Sequence, residues 1–89
     1  MTARYRRVEA VDVLLLDEGT ICLFDTRLVA LSPLGAAAYD LLVDAMNAEE
    51  LTTELVAIFG EPGEGSPFAV VEGLLAGMEA EGVLTRADG

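Results

Sequence analysis

The chain has 89 residues, 53% of them apolar, and its 16 acidic residues against five arginines give a net charge of −11. That length supports one modest core and not two, and the apolar fraction excludes general disorder. The charge disfavours a nucleic-acid backbone as partner and suits a basic or amphipathic peptide, unless the acidic surface serves solubility alone.

No apolar run is long enough to span a bilayer, so no membrane partner is expected. The basic start MTARYRRVEA has no apolar stretch behind it and does not read as a signal peptide. A lone cysteine, Cys22, cannot form an internal disulfide, which fits a reducing cytoplasm.

In chain order, residues 1–10 are mixed and polar and read as an irregular arm or a frayed edge. A single domain is expected, with its core over about residues 8–86 and flexible termini at 1–7 and 87–89. Residues 11–16 are short and rich in β-branched and leucine side chains, which favours a strand. Asp17, Glu18 and Gly19 read as a hairpin turn, residues 20–24 as the returning strand, and Asp25, Thr26 and Arg27 as a second turn. Residues 28–31 close a three-stranded meander.

Ser32-Pro33 then marks a helix start, Ser as the N-cap and Pro at the first helical position. The spacing of Leu34, Ala37, Ala38, Leu41, Leu42 and Ala45 predicts a helix ending near residues 45–46. Asn47, with Glu50 three residues on, predicts a capping box for a second helix with a buried stripe of Leu51, Leu55, Ile58 and Phe59. Residues 60–67 (GEPGEGSP) form a loop, and Ser66-Pro67 repeats the cap signature at the start of a third helix. That helix carries an apolar stripe of Val71, Leu74, Leu75 and Met78. Beside it runs a lane of small residues, Ala69, Gly73, Gly77 and Ala80, suited either to close packing or to a close-approaching ligand. Gly82 reads as its C-cap, with Val83 and Leu84 tucking back.

No catalytic constellation emerges. There is no histidine, which removes the usual general base and the common zinc spacings. Cys22 sits among apolar neighbours and reads as a buried structural thiol. GEPGEG lacks the Gly-Lys-Ser/Thr of a phosphate loop. Neither serine lies in the Asp-Ser-Leu context of an acyl carrier.

Strand–turn–strand, a short strand running into LSPLGAAAYDLL, a second helix opening AEEL and a third closing LLAGMEAEGVL together resemble the PqqD-like proteins. These are recognition elements that bind the leader of a ribosomally made precursor peptide. The resemblance covers about residues 8–86. It implies an α+β, winged-helix-like fold: an N-terminal three-stranded antiparallel sheet followed by three helices. It also implies a non-catalytic peptide chaperone, with the leader added antiparallel to the third strand and packed against the third helix. Carried onto this chain, the strand edge is Arg27, Leu28, Val29, Ala30 and Leu31, and the helix wall is Phe68, Val71, Glu72, Leu75 and Glu79. Glu72 and Glu79 either hold basic leader residues or form a solvated face.

The implied partners are a precursor leader and a separate maturation enzyme of radical SAM, cyclodehydratase or leader-peptidase type. No cofactor or metal is implied. Two rival readings stand beside this one. A winged-helix DNA-binding regulator would need residues 51–59 as its reading helix, which carry no Arg, Lys or Gln. A docking subunit of a biosynthetic enzyme would bind through an exposed apolar face without a peptide.

Overall fold

The computed structural model describes residues 3–17 and 19–87, which form two three-stranded antiparallel sheets and three helices. The order along the chain is β1 (Arg4–Arg7), β2 (Asp12–Leu16), β3 (Gly19–Phe24), β4 (Arg27–Leu31), α1 (Pro33–Leu41), β5 (Met46–Asn47), α2 (Ala48–Phe59), α3 (Pro67–Ala80) and β6 (Leu84–Arg86).

The expected meander is present as β2-β3-β4, with Leu16 opposite Gly19 and Phe24 opposite Arg27 at its two hairpin ends. A second sheet, ordered β5-β1-β6, was not expected. The segment read as an irregular arm or a frayed edge supplies its central strand, so Arg4–Arg7 is neither an edge nor a flexible terminus. Tyr5 lies opposite both Met46 and Arg86. Main-chain bonds of 2.9 Å from Arg7 to Leu42, Val8 to Val83 and Ala87 to Arg4 lock it in place. Side chains add Arg4–Glu50 at 3.1 Å and the Arg86 guanidinium 5.5 Å over the Tyr5 ring. Met1, Thr2, Asp88 and Gly89 of the expected flexible termini, and Glu18 of the expected turn, lie outside the described residues.

The helix starts follow their caps. Ser32 Oγ accepts from the Gly35 amide at 3.1 Å, and Ser66 Oγ from the Ala69 amide at 3.4 Å. Asn47 and Glu50 form the reciprocal capping box, at 2.8 and 2.9 Å. α1 stops at Leu41, about a turn earlier than its apolar spacing suggests, because the chain must turn to deliver Met46–Asn47 to β1. α3 ends in a Schellman motif: the Val83 amide donates to Met78 at 3.1 Å, the Gly82 amide to Glu79 at 3.0 Å, and Gly82 takes φ +79°.

One core joins the meander, the helices and the start of β6. Cys22, Phe24, Val29 and Leu31 meet Tyr39, Leu42, Leu51, Leu55, Leu75 and Val83, all buried. Ile58 and Phe59, expected in the buried stripe of α2, are instead 57% and 50% exposed. The last turn of α2 runs past the core toward the 60–66 loop. Tyr39 pins the connector between the sheets: its hydroxyl donates to the Val8 carbonyl at 2.6 Å and accepts from the Ala10 amide at 2.9 Å.

Candidate functional site: a groove beside the β4 edge

β4 pairs with β3 along one side, and among the described residues no strand pairs with its other side. Bonded and non-bonded pairs alternate along an antiparallel ladder. Counted from the closing Phe24–Arg27 pair, that alternation turns the main-chain groups of Leu28 and Ala30 toward the open side. The side chains of Val29 and Leu31 point into the core, while those of Leu28 and Ala30 are exposed.

Along this edge runs an open groove of about 280 Å³. Val29, Ala30 and Leu31 form one wall, Ser32 and Gly35 its floor at the start of α1, and Gly73, Leu74, Gly77, Met78 and Glu81 the wall from α3. The two glycines decide what the small lane is for. A Cβ built on either would meet nothing within 4 Å, so the lane does not serve close packing in the core. It opens onto the groove. Two mid-helix glycines each cost about 1 kcal/mol relative to alanine, with no contact in this chain to offset it.

The α3 residues named from sequence lie elsewhere. Val71 and Leu75 are core residues, 3% and 2% exposed. Glu79 pairs with Arg86 at 3.1 Å, and Phe68 and Glu72 are exposed away from the groove lining. Each residue turns the helix by about 100°, so Gly73, Gly77 and Glu81 lie to one side of the core-facing Val71 and Leu75, and Glu72 lies to the other. Gly73 and Gly77 were visible in the sequence as a lane. Leu74, Met78 and Glu81 carried no signal separating groove from core. Of the edge residues, Arg27 lies outside the groove lining, its guanidinium 5.7 Å over the Phe24 ring and against Gly82.

The groove is acidic where α3 ends. Glu81 is the C-cap residue, so its carboxylate adds to the negative end of the helix dipole and favours a cation there. Burial pushes the Cys22 thiol above its ordinary pKa, which leaves the sulfur protonated and unreactive. Among the described residues no group of three His, Cys, Asp or Glu side chains could hold a metal ion. No helix among them is long and apolar enough to cross a membrane. Comparison with protein-family models, with characterised proteins and with solved structures finds no match.

Proposed function

We propose that the protein is a non-catalytic peptide-binding module that takes up an extended segment of a precursor leader and presents it to a separate maturation enzyme. The observation that carries this reading is the open β4 edge lying beside a groove whose far wall includes Gly73 and Gly77. A visiting strand pairs with the Leu28 and Ala30 main chain and sends alternate side chains down against Gly73 and Gly77.

Magnitudes define what the ligand must supply. Four main-chain bonds contribute a net ~0.5–1.5 kcal/mol each, and ordering each peptide residue costs about 1–2 kcal/mol. These nearly cancel. Micromolar affinity requires about −8 kcal/mol, so two or three buried apolar anchors, at ~1.5–3 kcal/mol each, must provide most of it. The groove has room for about that many side chains and is smaller than most small-molecule sites. Glu81 and the net charge of −11 add a preference for a ligand with a basic residue near its anchors.

Fluorescence-polarisation titration with leader peptides encoded beside this protein tests the reading. Ala30→Pro removes an outward main-chain donor while sparing the β3 ladder, and Gly77→Leu fills the groove. Each variant is expected to weaken binding at least tenfold with helical content unchanged. Unaltered binding in both would remove the site from this edge.

A further inference from the structure

The opposite border of the meander is stranger than the first. β2 reads DVLLL, and all five residues are exposed: Val13, Leu14, Leu15 and Leu16 by 41, 57, 76 and 49%. Among the described residues β2 pairs only with β3. Edge strands of monomeric proteins are usually blunted by lysine, proline or a bulge, and β2 has none of these. Its four aliphatic side chains leave on the order of 400 Å² of apolar surface open over the two faces of the strand, as much as the largest patch of a typical monomer, and such patches are often functional.

The direction of the exposed groups selects the occupant. Leu14 lies opposite Ile21 on the outer face of the sheet, whereas Val13 and Leu15 lie opposite Cys22 and Thr20 on the helix side, beyond the helices. Stacking of two outer faces would cover Leu14 and Leu16 and leave Leu15 in water. A strand added to the edge covers both sets at once.

Counted from the closing Leu16–Gly19 pair, the alternation of the ladder turns the main chain of Val13 and Leu15 outward. The Val13 amide accordingly donates to its neighbour, the Asp12 carboxylate, at 2.9 Å. We propose that β2 pairs antiparallel with β2 of a second copy of this chain, about a two-fold axis through Leu14.

In that register each outward residue meets its complement. Val13 of one copy faces Leu15 of the other in a hydrogen-bonded pair, and the arrangement repeats on the far side of the axis. The two Leu14 side chains meet across the axis as a close, non-bonded pair. The contact is self-complementary, as a two-fold interface must be. It builds one six-stranded sheet with a β4 edge at each end, so it leaves both peptide grooves open. With about 400 Å² from each copy, about 800 Å² of apolar surface is covered, in the range of weak, transient interfaces, so the dimer is reversible and concentration-dependent. Two chains of net charge −11 repel one another, and salt therefore tightens the pair.

Sedimentation equilibrium of the purified chain, from low micromolar to near-millimolar concentration and at low and high salt, tests this. The wild type is expected to dimerise, more tightly at high salt. Leu15→Asp is expected to be monomeric with an unchanged far-ultraviolet circular dichroism spectrum. Asp12→Ala, which removes the competitor for the Val13 amide, is expected to tighten the dimer several-fold. Leu14→Cys is expected to give a disulfide-linked dimer on mild oxidation, native Cys22 being buried. That crosslink carries the test should Leu15→Asp lose its fold. A wild type that stays monomeric throughout overturns the proposal, as does a dimer that survives a folded Leu15→Asp or a Leu14→Cys chain that does not crosslink.

Discussion

Tyr39 and Cys22 show how much a single buried group fixes here. Tyr39 is 3% exposed, yet its hydroxyl is fully used, donating to Val8 and accepting from Ala10. Burial raises its pKa above 10.0, against a smaller lowering by the Ala10 amide, and burial likewise raises Cys22 above 9.0. In the unfolded chain both groups ionise at those ordinary values. As pH rises the unfolded state therefore loses protons first, and folding stability declines. The expected outcome is a urea midpoint that is level from pH 7 to about 9 and falls steadily above it, with Tyr39→Phe flattening the upper part of the fall. A midpoint insensitive to pH up to 11 would mean that neither group is buried as described.

At the scale of elements, the parts that rest on local chemistry were readable and those that rest on distant partners were not. Ser32-Pro33, Asn47 with Glu50, and Ser66-Pro67 each satisfy their own helix end within four residues, and all three caps form. The second sheet is built from RYRR, MN and LTR, which have no apolar period and owe their conformation to pairing across the chain. The β4 edge could be read from the short run before Pro33, but the azimuth of α3 could not, since Val71, Leu74, Leu75 and Met78 form one stripe in which nothing separates the side that meets the core from the side that lines the groove. α3 also carries the next prediction. Gly77→Ala places a methyl group in open space on a helix interior and is expected to raise stability by about 0.5–1 kcal/mol in denaturant titration. A loss of stability instead would mean that the lane is packed. A gain would mean that the glycine is kept for the width of the groove.

Across the whole molecule, β1 is the piece on which closure depends. It lies between β5 and β6, its Arg7 amide bonds to Leu42, and the next residue, Val8, bonds to Val83, so it is tied to two segments distant in sequence at once. Deleting residues 1–7 removes the ladders to both neighbours as well as the Arg7–Leu42 and Ala87–Arg4 bonds. At ~0.5–1.5 kcal/mol per bond the loss reaches several kcal/mol, a large part of the 5–15 kcal/mol that holds a small domain together. The truncated chain is expected to lack a cooperative urea transition, whereas retention of the full-length midpoint would show that β1 is dispensable.

That placement also bears on synthesis. The first strand leaves the ribosome long before the segment Leu84–Arg86 that completes its sheet, because nearly the whole polypeptide separates them. The meander and α1 can assemble early from neighbours in sequence, but β1 must wait for its β6 partner until Leu84–Arg86 has emerged. For that interval the nascent protein carries one finished sheet and one unfinished sheet, and the β1–β6 ladder is the last of its pairings to close.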